Sequence, residues 1–224
     1  MQMIPGQAEL FSTTGVEAYT QLPGDCRYLH SYIAAEQASC LLLQLRSELP
    51  WQQQTIQLFG KHVMQPRLIC WQADPEVDYG YSGIRLLAAE WHPEVARLRQ
   101  RLQNELGLEF NAVLINAYRD GQDSMGWHSD DEPELGPDPV LASISLGAER
   151  LFRWRHKRSE SGSGSGSAKS HGMKLQHGSL LLLDGRFQQE HQHSVPKTRS
   201  ATGLRINLTF RQVLNGKQAR HCVV

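Results

Sequence analysis

The chain has 224 residues, 40% of them hydrophobic, which suits one domain with embellishments and a real core. Its 23 basic and 23 acidic residues cancel, arguing against nonspecific coating of a polyanion while leaving room for a local basic patch. No basic-apolar-small pattern opens the sequence, no apolar run approaches the ~20 residues of a membrane span, and Cys26, Cys40, Cys70 and Cys222 form no CxxC pair. A soluble, cytoplasmic monomer with reduced thiols and no membrane partner is expected.

In chain order, residues 1–34 are mixed and glycine-containing and read as an arm laid over the core. A helix is predicted over 36–49, with Ala38, Leu41, Leu42, Leu45 and Leu49 on one stripe and Pro50 as its stop. A second is predicted over 93–106, with Pro93 in the first turn, Val95, Leu98 and Leu102 inward and Gly107 as the cap. Between them, 51–91 reads as irregular structure rich in aromatic rings, counting Trp51, Phe59, Trp71, Tyr79, Tyr81 and Trp91 with His62. Such rings either plug the core under loops or stack on bases, a contact of roughly 1–3 kcal/mol per base.

From residue 110 onward short strands follow: 110–118, 140–146, 151–154, 173–175, 179–183, 192–195 and 204–213. That spacing means a sandwich or barrel, so the class is mainly β with flanking helices (α+β). The Ser/Gly run 159–167 has nothing to bury and reads as a flexible hairpin tip. One integrated domain is expected: an arm at 1–34, buttress helices and a lid over 35–109, a catalytic core over 110–214 and a tail at 215–224.

The chemistry is carried by His128-Ser129-Asp130 with His193 far downstream. Two histidines and one carboxylate are the ligand set of the facial triad, which leaves positions of a non-haem Fe(II) open for co-substrate and dioxygen. His-x-Asp alone is weak evidence, and on strand parity His191 competes with His193 for the third place. A β-rich segment, Arg205-Ile206-Asn207-Leu208-Thr209-Phe210-Arg211, would put Arg205, Asn207, Thr209 and Arg211 on one face. Two guanidiniums aimed into one pocket need anions, and a dicarboxylate meets that need through the bidentate geometry of arginine. A catalytically silent cupin-like binding module has no use for both ligands and both arginines, and zinc hydrolysis requires no twin-arginine pocket.

In order along the chain, Asn116-Ala117-Tyr118, His128-Ser129-Asp130-Asp131-Glu132-Pro133, Ala142-Ser143-Ile144-Ser145-Leu146-Gly147, His177-Gly178-Ser179-Leu180, His193-Ser194-Val195-Pro196 and Arg205 to Arg211 resemble the motifs of the AlkB family of Fe(II)- and 2-oxoglutarate-dependent nucleic-acid demethylases, closest to its animal repair members. The resemblance implies a double-stranded β-helix, a cupin-like jelly roll, under an N-terminal nucleotide-recognition lid. It implies Fe(II) on His128, Asp130 and His193, with His191 left at the rim. It implies 2-oxoglutarate held by Arg205 at its distal carboxylate and by Arg211 near the iron, with Asn116, Tyr118, Ser143 and Asn207 completing the hydrogen bonds. Dioxygen would oxidise an N-methyl group, giving formaldehyde, succinate and a restored base.

By the same resemblance the partner is methylated DNA, with RNA, a protein side chain or a small molecule as alternative substrates. Tyr81, beside Tyr79 in Tyr79-Gly80-Tyr81, would stack on a flipped base against the His128 ring, and Glu132 would read its edge. Lys197 and Arg199, with Arg153, Arg155, Lys157 and Arg158, would meet phosphates around the mouth. Gln57-Leu58-Phe59-Gly60-Lys61 resembles the finger that fills the gap left in a duplex, with Phe59 as the plug.

Overall fold

The computed structural model describes residues 19–58, 61–77, 80–81, 84–85, 87–157, 170–200 and 203–214. In chain order its elements are β1 (Thr20–Leu22), β2 (Cys26–Leu29), α1 (Ala35–Glu48), β3 (Thr55–Leu58), β4 (Lys61–Met64), β5 (Leu68–Ala73), β6 (Gly80–Tyr81), β7 (Ile84–Arg85), α2 (Pro93–Leu106), β8 (Ala112–Tyr118), β9 (Met125–His128), β10 (Leu141–Gly147), β11 (Arg150–His156), β12 (Ser170–Leu175), β13 (Ser179–Leu183), α3 (Gly185–Glu190), β14 (His191–Val195) and β15 (Arg205–Arg211). Seven strands form one sheet in the order β1-β2-β13-β10-β15-β8-β5, and four form a second in the order β12-β11-β14-β9. Strands pair antiparallel throughout both sheets, and β3–β4 and β6–β7 are separate hairpins. Two such sheets with helices at the side are the jelly-roll architecture that the sequence predicts.

Period-two alternation decides which side of the large sheet is oily and which is chemical. On β15, Ile206, Leu208 and Phe210 join Val113, Ile115 and Ala117 of β8 and Ala142, Ile144 and Leu146 of β10 in one core cluster. The helices cover that cluster: α1 adds Ala38, Leu41 and Leu45, and α2 adds Val95, Leu98 and Leu102. Each large apolar side chain so buried contributes about 1.5–3 kcal/mol. The opposite side carries Asn116, Tyr118, Ser143, Ser145, Arg205, Asn207, Thr209 and Arg211, all buried. Further along, a second apolar cluster fills the space between the sheets, where Leu181 and Leu183 meet Phe152 and Trp154 of the small sheet and Phe187 of α3.

Both long helices stand where the sequence predicts. Helix α2 starts with Pro93 after a His92 ring that accepts the Glu94 N–H, and it ends at Gly107 in the left-handed conformation. Two expectations change. The described part of the predicted arm is built into the large sheet: β1 and β2 form a hairpin at its edge, with Cys26 and Tyr28 fully buried. Four residues of alternation are too few to stand out from coil. In the stretch read as irregular, β5 is the opposite edge strand and buries Trp71 against Ala112 and Leu114. The Ser/Gly run 159–167 and the tail 215–224 lie outside the described residues.

One close approach ties these parts together. Gly178 precedes β13 with φ +76°, its carbonyl accepts the Ile33 N–H, and a Cβ there would stand 2.3 Å from the Ile33 carbonyl oxygen. Gly107 has a similar φ, +66°, but open space around it. Gly107→Ala should cost only the left-handed penalty of about 1–2 kcal/mol, whereas Gly178→Ala should cost clearly more, because backbone must move. Urea unfolding of both variants checks this, and equal losses would remove the close approach as a constraint.

Candidate metal centre

Strand β14 pairs with β9 so that His193 stands directly opposite His128, followed by a bulge between His193 and Val195. The two rings are 4.1 Å apart, centre to centre. His128 Nδ1 lies 2.9 Å from the Gly126 carbonyl. A proton on Nδ1 donates to that carbonyl and leaves the Nε2 lone pair for a metal.

Asp130 follows two residues after His128, where α3 pins the chain: the Asp130 N–H donates to Gln188 Oε1 at 3.0 Å, and the Ser129 hydroxyl donates to the His191 carbonyl at 2.8 Å. Asp130 Oδ2 is 3.7 Å from His193 Nε2. The candidate ligand atoms of His128, Asp130 and His193 all lie within 4.8 Å of one another. Two neutral imidazoles and one carboxylate at this separation fit an Fe(II) facial triad.

Electrostatics prepares these groups for a cation. Burial, reinforced by His128 and Arg211, pushes the His193 pKa down to about 3 against the pull of Asp130. His128 is lowered too, by burial first and then by Arg67 and Arg211. Burial alone would raise the Asp130 carboxyl, but Arg211, His128, His193 and Arg67 outweigh it and hold the group below its usual range. Near neutral pH the site therefore presents one negative charge and two lone pairs.

Beside the triad runs the polar row of β15. Arg211 Nη1 stands 3.8 Å from Asp130 Oδ1, which places its charge at the metal end. At the other end Arg205 is fully buried, its guanidinium 5.1 Å from the centre of the Tyr118 ring and its Nη2 donating to the Ser145 hydroxyl at 2.9 Å. Burial lowers the Arg205 pKa, with Arg150 adding repulsion and Tyr118 opposing it. Among the described residues Arg205 Nε and Nη1 are buried with no hydrogen-bond partner. Leaving such donors unmet is costly, and an anionic co-substrate such as the distal carboxylate of 2-oxoglutarate fits the deficit. Between the arginines, Asn207 donates to the Ser143 hydroxyl at 2.8 Å and to the Ile144 carbonyl at 3.0 Å, and Thr209 donates to Asn207 Oδ1. Asn116 Oδ1 accepts from Arg67 Nε at 2.8 Å.

Other expected residues fall differently. His191 is not at the rim: it is buried, stacked on Phe187 at 5.1 Å, and its ring lies within 3.0 Å of where a Cβ on Gly24 would stand. Strand parity keeps it on the His193 face, but two residues, ~7 Å, carry it past the metal site into the inter-sheet core. Arg153 and Arg155 lie on the outer face of the small sheet, since Phe152 and Trp154 take the inner face of β11. Lys157 pairs with Asp131 at 2.7 Å beside the ligand loop. Glu132 is half-buried at the start of the Pro133–Leu135 turn, and Lys197 and Arg199 are exposed after β14. Phe59, Tyr79 and Arg158 lie outside the described residues, as does the Tyr81 side chain.

Three residues of the site escape sequence reasoning. Ser145 shares strand parity with Ser143, and that signal could have found it. Arg67 and Gln188 carry no local signal, because each acts through a partner far away in sequence, Asn116 and Asp130.

His128→Ala, Asp130→Ala and His193→Ala should each weaken Fe(II) or Mn(II) binding at least tenfold in a direct titration. His191→Ala should retain the metal and lose about 1–3 kcal/mol of stability as its stack on Phe187 is emptied. The reverse pattern would overturn the ligand assignment. A pH dependence follows from His193. Its pKa is about 3 folded against roughly 6.5 unfolded, so acid protonates the unfolded chain first. The metal-free protein should hold full stability above that unfolded value and lose it progressively down to the folded one. Urea midpoints across this window should fall less steeply in His193→Gln, and an unchanged slope would exclude His193 as a cause.

The chain matches the 2OG-Fe(II) oxygenase superfamily over residues 25–211. It is 38% identical over 204 residues to the human alpha-ketoglutarate-dependent dioxygenase alkB homolog 3, an alignment covering 90% of this chain and 68% of that protein. To the human DNA oxidative demethylase ALKBH2 it is 36% identical over 197 residues, covering 87% of this chain and 75% of the relative. In fold it resembles the solved structure of OsALKBH1, with a TM-score of 0.54 at 16% identity over 87% of this chain and 99% of that one. The ligand triad, the arginine-lined pocket and these alignments agree: the chain belongs to the 2OG-Fe(II) oxygenase superfamily and, within it, to the AlkB family.

Proposed function

We propose that this protein is an oxidative demethylase of N-alkylated bases, of the 1-methyladenine and 3-methylcytosine type, in DNA, with RNA as the alternative polymer. The observation that carries the reading is the buried Arg205 guanidinium with two unmet donors, set on the same strand face as Arg211 beside the triad. The names of the relatives, an alpha-ketoglutarate-dependent dioxygenase and a DNA oxidative demethylase, support the substrate class.

Iron bound with 2-oxoglutarate and dioxygen supplies the oxidation of the methyl carbon, the co-substrate leaving as succinate and carbon dioxide and the hydroxymethyl group as formaldehyde. The chain supplies positioning. Arg205 holds the distal carboxylate, and Arg211 offsets negative charge at the metal end. Asn116, Tyr118, Ser143 and Asn207 fix the pocket wall between them. Phe152 and Phe187, with ring centres 5.4 and 6.0 Å from that of His193, keep water from the inner side.

A methyl group on a pairing edge is hidden in a duplex, so the base must be single-stranded or flipped. Tyr81 is assigned the stacking role against the His128 ring, with Tyr79 beside it, and Glu132 the base edge. Lys197 and Arg199 are assigned phosphates, a role their exposure supports. Phe59 is assigned the gap left in a duplex.

Anaerobic loading with Fe(II) and 2-oxoglutarate, then air and a methylated oligonucleotide, should remove one methylene of mass per lesion, with formaldehyde released in equal amount. Arg205→Ala should raise the 2-oxoglutarate requirement by 10-fold or more, as loss of a charge-assisted pair of ~1.5–3 kcal/mol demands. Co-substrate turnover that methylated oligonucleotides leave unstimulated would overturn the substrate class. An unchanged requirement in Arg205→Ala would remove that residue from the pocket.

A further inference from the structure

A third buried guanidinium stands beside the polar row of β15 and belongs to the other sheet. Strand β10 ends at Gly147, opposite Arg205, and the chain crosses there from the large sheet to the small one. The crossing is tight: Gly147 has φ +86°, and a Cβ on it would stand 2.2 Å from the Leu204 carbonyl oxygen. It delivers Arg150, the first residue of β11, to the inner face that Phe152 and Trp154 continue by strand alternation. Arg150 is 2% exposed. Its guanidinium carbon lies 5.5 Å from the centre of the Tyr118 ring, the same ring that Arg205 meets at 5.1 Å. Two guanidiniums thus share one aromatic neighbour at the distal end of the co-substrate pocket, within about 11 Å of each other.

The bonds of Arg150 hold it in place without cancelling its charge. Nη1 donates to the Asp120 carbonyl at 2.9 Å, and Nη2 donates to the carbonyls of Asp123 and Pro196, both at 2.8 Å. The first two acceptors lie in the loop that leads into β9 and His128, and the third directly follows β14, which bears His193. All three are neutral. The Asp123 carboxylate is taken by Arg119, whose Nε and Nη2 donate to it at 2.8 and 2.9 Å. Among the described residues Arg150 closes onto no acid, and its Nε is buried with no hydrogen-bond partner, as are Nε and Nη1 of Arg205. Two cations held together out of water repel each other, and an anion placed beside them removes that penalty.

We propose that Arg150 is a specificity-determining residue for the co-substrate, its charge acting beside Arg205 around Tyr118 to select a 2-oxo acid with a second carboxylate over one with an apolar tail. It rests on 2-oxoglutarate as co-substrate and not on which alkylated polymer is repaired. Arg205 supplies directed hydrogen bonds to the distal carboxylate. Arg150 supplies a field, which a carboxylate can use and a methyl group cannot. In a pocket shielded from water a unit charge several ångströms away changes the affinity of an anion by about tenfold. The same guanidinium braces the segments next to both histidine-bearing strands, so the pocket end and the metal end share one frame.

The test is a calorimetric titration of the full chain, loaded with Mn(II), with 2-oxoglutarate and with 2-oxopentanoate, in which a methyl group replaces the distal carboxylate. The wild type should favour the diacid strongly. Arg150→Gln, which keeps donors for the carbonyls but no charge, should weaken 2-oxoglutarate by about tenfold and 2-oxopentanoate by less than about twofold. Arg150→Met should do the same, whereas Arg150→Lys should keep most of the preference for the diacid. Equal loss of both ligands in the neutral variants would overturn the proposal by making Arg150 structural. Loss of neither would overturn it by making the charge irrelevant. A lysine variant that loses the preference would overturn it too, and this variant decides alone where the neutral ones do not fold. Wild type that fails to bind 2-oxoglutarate would instead defeat the co-substrate assignment itself.

Discussion

Two buried guanidiniums on one face of β15 set the terms for the structure around them. Removing a cation from water costs several kcal/mol unless charge and hydrogen bonds are returned to it. Arg211 is answered by Asp130, and Arg205 only in part, by the Ser145 hydroxyl and the face of the Tyr118 ring. The remaining donors of Arg205 make a demand that a co-substrate carboxylate can meet. Binding of an anion here therefore relieves a deficit built into the fold, and affinity and specificity for a dicarboxylate share one origin.

The same strand divides the molecule's labour. Its apolar residues, Ile206, Leu208 and Phe210, anchor the large sheet to α1 and α2, while its polar residues face the small sheet. A one-residue slip would exchange the two sets, placing arginines under the helices and phenylalanine in the pocket. Register is held by β8 along the whole strand and by β10 from Arg205 to Phe210, so the position of the anion pocket is as stable as the core itself.

At the metal the controlling feature is a backbone pairing. His128 and His193 are opposed across β9 and β14, which lets two remote residues meet at ring-contact distance. Asp130 depends on side-chain support, through Gln188 of α3 and the Ser129 hydrogen bond to the His191 carbonyl. Helix α3 thus joins the ligand loop to the strand that bears the other ligand. Burial keeps both imidazoles in the neutral form, so the energetic cost of desolvation is already met when a cation arrives.

The sequence by itself determined the class, the two long helices, the alternation of β15 and the His128-x-Asp130 ligand pair, because these are local patterns or short motifs. Strand parity left the third ligand open between His191 and His193, and only the family resemblance chose His193. Apolar stripes with Pro93 and Gly107 at the ends define α2, and a seven-residue alternation defines the faces of β15. The tertiary structure alone decided what depends on distance. It turned His191 into a core residue, because the strand runs on past the metal into the space filled by Phe187. It turned Arg153 and Arg155 outward, because Phe152 and Trp154 claimed the inner face. It brought Arg67 to Asn116 and Gln188 to Asp130, pairs of residues 49 and 58 positions apart. It also made edge strands of β1 and β5, since a sheet edge is defined by which neighbour is missing and not by the residues of the strand.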